Sequence, residues 1–429
     1  MYPAIETPIG GRTASGTAKD RYAAVREFTK TLCEPLETED YVVQTMTDVS
    51  PTKWHLAHTT WFFETFVLSE FAEGYKPFHP RYAYLFNSYY IQAGERHRRD
   101  KRGALTRPTV AEIMAYREYV DEHMIEFLDL RPDLFDRSPE SVLEIGLHHE
   151  QQHQELILTD IKHVFSANPL KPVYRAGVGG ARGQASEVSW VEFDEGLYEV
   201  GWGGEGFAYD NEGPRHRVYL QSFALADRLV TSGEYMRFID DGGYRRPELW
   251  LSDGWAVVEA EGWEAPGYWE RGEDGWEHYT LAGLRPVDES EPVAHVSYYE
   301  ADAYARWAGY RSATEFEWEV AAASVPIRGS FVDAGRYHPA PLDPGEAQGA
   351  LRQMFGEVWQ WTQSHYSPYP GYKPPDGAIG EYNGKFMCNQ FVLRGGSCAT
   401  SASHIRRTYR NFFHAPARWQ FTGIRLARS

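Results

Sequence analysis

The chain has 429 residues, more than one hydrophobic core ordinarily organises, so two domains are expected. Its 61 acidic against 43 basic residues give a formal net charge of -18, which argues against a nucleic-acid partner but leaves room for a small basic pocket, while 24% charged and 42% hydrophobic residues make a globular balance. The opening MYPAIETPIGGRTASG lacks the basic and apolar parts of a secretory signal, no apolar run approaches the ~18 residues of a spanning helix, and Cys33, Cys388 and Cys398 lack CxxC spacing. A cytoplasmic protein without a membrane partner or a disulfide framework is the expectation.

In chain order, the first third reads as helices. Tyr22, Val25, Phe28 and Leu32 recur at helical spacing from about Lys19 to Leu32. A second helix is predicted after Ser50-Pro51, with Ser as N-cap and Pro at the first helical position, running through WHLAHTTWFFETFVL. A third follows Pro108-Thr109, where Val110, Ile113, Tyr116, Val120, Met124 and Phe127 repeat every three or four residues; a fourth runs from near Ser138-Pro139 to about Phe165. Four helices with long connections suggest a bundle, whose core commonly holds a metal. The Pro/Gly/Ala-rich stretch 168–185 reads as a linker between a domain at 1–167 and another at 186–429. Beyond it, SWVEF, LYEVG, HRVYLQSFAL and FVLRGG read as short strands, with helices only around Ser232–Ile239 and Tyr299–Trp307. Together these make an α+β protein of two domains.

The chemistry-bearing stretch lies on the fourth helix, in His148-His149-Glu150-Gln151-Gln152-His153. His149 and His153 are four apart, so both imidazoles project from one face and suit two ligands of one cation. The same five residues fit HExxH, with Glu150 as general base of a zinc protease, but QELILTDIKH supplies no distal ligand at protease spacing. A pair of helix-packing histidines would have the same spacing. A third ligand is available from His55 or His58 on the second helix, and imidazole ligands suit Fe(II), Zn(II) and Cu(II) alike.

SPTKWHLAH followed by LHHEQQHQELILTDIKH resembles the ergothioneine-biosynthesis sulfoxide synthases. These join a DinB-like four-helix bundle to a domain of the formylglycine-generating-enzyme type, a C-type-lectin-like fold. YDNEGPRHRVYLQSFAL, EPVAHVSYYEADAYARWAGYR, GEVWQWT, VLRGGS and GIRLA carry the resemblance through the second domain, with SATEFEWE a departure from the family's LPTEAEWE. The resemblance implies an Fe(II) enzyme that uses O2 to join a thiol sulfur to the imidazole of hercynine (Nα-trimethylhistidine), leaving a sulfoxide, with His58, His149 and His153 as ligands.

Carried over residue by residue, the resemblance makes Gln152, Asn411, Phe412 and Tyr382 hercynine contacts, Phe412 standing where the family has Trp. Arg99 and Arg102, within the basic run Gly94–Arg102, fall at the positions that hold the thiol substrate's carboxylate, although a solvated basic loop would have the same composition. Two departures set this chain apart. The Asp and Arg of the γ-glutamylcysteine-using branch are replaced by Phe413 and Ala417, which points to free cysteine as the thiol. Ile379 stands where that branch has a catalytic tyrosine, so Tyr89 or Tyr90 is expected to supply the phenol that donates to the reacting oxygen. The nearest alternative is the ovothiol-type coupling of cysteine to histidine, whose enzymes usually carry an added methyltransferase domain. A formylglycine-generating oxidase would need paired cysteines around Cys398, and a non-catalytic binding module would have no use for three converging histidines.

Overall fold

The computed structural model describes residues 16–131, 141–176, 187–343, 345 and 349–429. The first unit is built on four helices: α1 (Ala18–Cys33), α2 (Thr52–Phe63), α3 (Val110–Leu130) and α4 (Val142–Ala167). Thr17 and Thr109 close reciprocal capping boxes with Asp20 and Glu112, satisfying the orphan N–H groups that open α1 and α3. The start expected for α4 near Ser138-Pro139 lies outside the described residues.

The entry to α2 differs from the expectation. Pro51 is the cap rather than the first helical residue, and Ser50 caps nothing: its N–H donates to Asp160 at 2.8 Å and its hydroxyl accepts from Arg102 at 2.9 Å. α2 is buried along its whole length and continues through a π-helical turn at Glu64–Leu68. It lies against α4 at Gly146, where a Cβ would stand 2.6 Å from the Phe63 ring and 2.9 Å from that of Phe62. The missing side chain lets the two helices close one turn before His149.

The second unit contains two four-stranded sheets, a three-stranded sheet and the hairpin Gly196–Val200/His216–Leu220 among the described residues. In the sheet nearest the bundle, Asn411–His414 runs antiparallel to Gln390–Arg394, which pairs with Trp359–His365. The expected helices appear at Ser232–Asp240 and Tyr298–Trp307, but among the described residues helices at Ser252–Glu261 and Glu315–Ala322 and a single turn at Glu381–Gly384 also interrupt the strands. Gly254 disguised the first; the second is only two turns long, although Thr314 and Glu317 form a capping box that marks its start.

Each unit has its own apolar core, and a third cluster lies across the joint, where Leu158, Ile161 and Phe165 of α4 meet Tyr279, Leu281 and Phe421. Polar contacts reinforce the joint. Glu155 accepts from the Ser397 hydroxyl at 2.5 Å, the Thr400 hydroxyl at 2.7 Å and the Trp359 indole at 2.8 Å. No helix among the described residues is long and apolar enough to cross a membrane.

Inside the bundle, Glu150 is fully buried between Arg26 (2.9 Å) and Arg117 (2.5 Å). Burial alone would raise its carboxyl, but the two guanidinium groups hold it down to about 2. Glu150→Ala leaves two buried cations short of a partner and is expected to cost about 3–5 kcal/mol in urea unfolding at pH 7. Because the folded-state value is depressed, this contribution is complete above the ordinary carboxyl range near ~4.3 and is lost as pH falls toward 2. The stability difference between the parent and Glu150→Gln should therefore shrink as the pH is lowered through that window.

Candidate metal centre and substrate cavity

His58 of α2 and His149 and His153 of α4 offer ligand nitrogens that lie within 4.8 Å of one another, and all three residues are buried. His58 donates its Nδ1–H to the Phe86 carbonyl at 2.5 Å and lies nearly parallel to Trp54 (4.6 Å) and Trp61 (5.5 Å), which fixes its ring plane. His153 meets His55 through the two Nδ1 atoms at 2.8 Å. In both rings Nε2 is thereby left for a ligand. The Nδ1 of His149 is buried without a hydrogen-bond partner. Burial pushes His58 and His153 well below the ordinary imidazole range, with repulsion from His149 adding to it, and pushes His149 down to about 4. Three neutral nitrogens facing one point fit a divalent transition metal such as Fe(II), and the donor set alone does not choose among such ions.

Glu150, the general base of a protease reading, points into the Arg26–Arg117 pair and away from this centre. A second cluster, His278, Glu291 and His338, also has metal-like spacing. There Arg285 donates to both Glu291 oxygens at 2.9 and 2.7 Å and to His278 Nε2 at 3.2 Å, so a guanidinium already stands where a cation would bind. The cysteines form no pair: Cys33 and Cys398 are buried and Cys388 is exposed, and burial pushes the Cys398 thiol well above its ordinary range.

The three imidazoles open into a cavity of about 880 Å³ walled by both units. Most of the residues singled out from the sequence line it: Tyr89, Tyr90, Arg99, Arg102, Gln152, Asn411, Phe412, Phe413 and Ala417. Arg102 is buried, donates to the Ser50 and Ser88 hydroxyls at 2.9 and 3.0 Å, and lies 3.3 Å over the Trp54 ring. Burial lowers its guanidinium to about 9, and no carboxylate among the described residues forms an ion pair with it. Arg99 donates to the Tyr89 hydroxyl at 2.6 Å and to the Asp48 carbonyl at 2.7 Å.

Gln152 donates its Nε2 to the Tyr409 hydroxyl at 2.7 Å. Phe412 stacks face to face on Tyr366 at 4.1 Å, which takes one of its two π faces; Phe386 lies 5.9 Å away. Tyr90 is buried against Trp61 and Phe66, whereas half-buried Tyr89 meets the Phe386 ring edge-on at 5.0 Å. Tyr382 belongs to the helical turn Glu381–Gly384, but its side chain lies outside the described residues. Sequence reasoning missed Trp54, Ser88, Tyr409 and Phe386 as cavity residues. Trp54, next to His55 in WHLAH, had a local signal, while the other three reach the site only through the tertiary fold.

Comparison with known proteins defines the class. The DinB superfamily model matches residues 21–157, and the model of the sulfatase-modifying factor enzyme 1-like domain matches 179–348 and 334–429. A helical bundle with three converging imidazoles, closed by a domain of that second type, is the architecture of a two-domain oxygenase. The chain is 34% identical to hercynine oxygenase of Mycolicibacterium thermoresistibile over 69% of its own length and 71% of that protein. It is 31% identical to hercynine oxygenase of Mycolicibacterium smegmatis over 96% of its length and 99% of that protein. Ergothioneine biosynthesis protein 1 of Schizosaccharomyces pombe is 28% identical over 58% of this chain and 30% of that protein. The chain belongs to the hercynine oxygenase family.

The geometry makes the three histidines testable as a unit. Replacing His58, His149 or His153 singly with Ala is expected to abolish stoichiometric binding of added Fe(II) under anaerobic conditions, because two imidazoles in a solvent-accessible cavity hold the ion weakly. Full occupancy in the His58→Ala protein, measured by metal analysis after desalting, would contradict the assignment.

Proposed function

We propose that the protein is an Fe(II)- and O2-dependent sulfoxide synthase of ergothioneine biosynthesis that couples L-cysteine to hercynine, giving hercynylcysteine sulfoxide. The observation that carries this reading is one cavity holding three neutral imidazoles beside a buried guanidinium that pairs with no carboxylate among the described residues. Fe(II) held by His58, His149 and His153 would supply open coordination positions and electrons for O2 chemistry. The reaction joins an imidazole carbon to sulfur and leaves one oxygen atom on that sulfur. The other oxygen departs as water with the hydrogens lost from carbon and thiol.

The chain's residues divide the binding work by chemistry. Arg102, held flat against Trp54 and bonded only to neutral hydroxyls, receives the cysteine carboxylate, with Arg99 beside it. A charge-assisted pair there would give the guanidinium a carboxylate in direct contact, which it lacks among the described residues. Since Gln152 spends its amide N–H on Tyr409, its oxygen is left to accept an N–H from the hercynine ring. Asn411, Tyr382 and the remaining face of Phe412 form the proposed seat of the trimethylammonium group.

Free cysteine is supported over γ-glutamylcysteine by the wall at 411–418. Phe413 packs edge-on against Trp419 at 5.4 Å, and neither it nor Ala417 carries a charge. The neighbouring Arg418 stacks 3.8 Å over Trp263 and donates to Glu300 at 3.2 Å, so its charge is already matched. After anaerobic Fe(II) loading, O2 consumption with saturating hercynine should give a higher kcat/KM for cysteine than for the dipeptide. A clear preference for γ-glutamylcysteine, or for histidine over hercynine, would overturn this assignment. Arg102→Leu should raise KM for cysteine roughly 10- to 100-fold, corresponding to a lost charged hydrogen bond, while KM for hercynine changes little.

The proton donor is proposed among Tyr89 and Tyr90. The Tyr89 hydroxyl lines the cavity and accepts from Arg99 at 2.6 Å, which supports it as a phenol that gives its proton to an oxygen of the reacting species. Tyr90 lies deeper, against Trp61, the ring that stacks on His58. A Tyr→Phe change at the donor should divert cysteine from sulfoxide to sulfinic acid with metal content unchanged. An unchanged product ratio in both single variants and the double variant would exclude this pair.

A further inference from the structure

A relay behind His153 is built from His55 and Asp160, neither of which belongs to the group of three converging imidazoles. Asp160 lies seven positions after His153 on α4, so they share one face about two turns apart, about 10 Å along the axis. His55, three residues before His58 on α2, fills the space between them. Its Nδ1 is 2.8 Å from the His153 Nδ1, and its Nε2 is 3.0 Å from Asp160 Oδ2. The same Oδ2 accepts the Ser50 N–H at 2.8 Å, which fixes the carboxylate at the mouth of α2. His55 and Asp160 are each 2% exposed, so these contacts are largely shielded from bulk solvent.

The chain of contacts dictates where the hydrogens sit. Asp160 Oδ2 is placed to accept from His55 Nε2, and in the tautomer that makes this contact His55 Nδ1 is the acceptor facing His153. His153 must then donate from Nδ1, which leaves Nε2 unprotonated and directed at His58 and His149. His58 reaches the same tautomer through the Phe86 carbonyl, a neutral acceptor, whereas the Nδ1 of His149 has no partner. The three imidazoles are therefore held unequally, and only His153 has a carboxylate at the far end of its support.

We propose that His55 and Asp160 are positioning residues that set the tautomer and donor strength of His153 and so raise the affinity of the centre for its metal. The proposal rests on the assignment of His58, His149 and His153 as ligands. Outer partners of ligating histidines typically contribute 10- to 100-fold in metal affinity.

The test is titration of metal-free protein with Co(II) under anaerobic conditions, following ligand-field absorption, with the urea midpoint of each metal-free variant as a folding control. His55→Leu, which removes both contacts, should weaken Co(II) binding 10- to 100-fold. His55→Asn, whose amide oxygen can take the place of Nδ1 as acceptor for His153, should recover part of that loss. Asp160→Asn keeps an acceptor but removes the charge, and should fall a few-fold below the parent. His149→Ala belongs in the same series. If His149→Ala loses binding while His55→Leu, His55→Asn and Asp160→Asn match the parent, the relay is overturned and the ligand assignment stands. If His149→Ala also matches the parent, the ligand assignment fails and the relay with it. Should His55→Leu not fold, the Asn variants carry the test, and parent affinity in both overturns the proposal.

Discussion

Helix α4 has almost no face turned to solvent, and the rest of the site depends on that. Between Gly146 and Lys162 every residue is buried except Gln152 and Leu156, and both of those line the cavity. A helix so rich in Glu, Gln and His is buried at a cost unless most of its polar groups find partners, because an unpaired buried charge or amide costs more than a made hydrogen bond contributes. The neighbours are arranged around that demand. Arg26 and Arg117 answer Glu150, Ser397, Thr400 and Trp359 answer Glu155, and Ser401 and Ser403 answer Gln151.

That arrangement also divides labour by helical position. Glu150 and Gln154 face α1 and hold the bundle together, while Gln151 and Glu155 face the second unit and hold it to the bundle. His149, Gln152 and His153 are left for the space between, where α2 brings His58 across. The three converging imidazoles therefore sit where the two units meet, and residues of both units wall the cavity. Substitutions in the second unit near Ser397 or Tyr409 bear directly on α4, through Glu155 and Gln152.

The glutamate inside His-Glu-Gln-Gln-His illustrates how burial decides chemistry. In a solvent-filled cleft such a residue beside two ligands would serve as a general base. Here two guanidinium groups hold it as a carboxylate at neutral pH in the bundle interior, where its partners are structural. Arg102 is the reverse case: a cation buried against two hydroxyls and one indole face, with no ion pair among the described residues.

The sequence by itself determined the helices of the bundle, through capping pairs such as Thr109/Glu112 and apolar spacing such as Ile113–Tyr116–Val120, and placed His149 and His153 on one face of α4. These are local properties, set by a few neighbours along the chain. It left His55 and His58 as equal candidates on intrinsic grounds, because residues three apart on α2 both face the core. Only the tertiary structure separated them: His58 turns to His149 and His153, while His55 is drawn to Asp160. The second unit was harder to read, since the helices at Ser252–Glu261 and Glu315–Ala322 are short and held by packing rather than by periodicity. The partners Tyr409, Ser88 and Phe386 carry no local mark at all. A cavity wall assembled from chain segments hundreds of residues apart is specified by packing over distance, which no window of sequence contains.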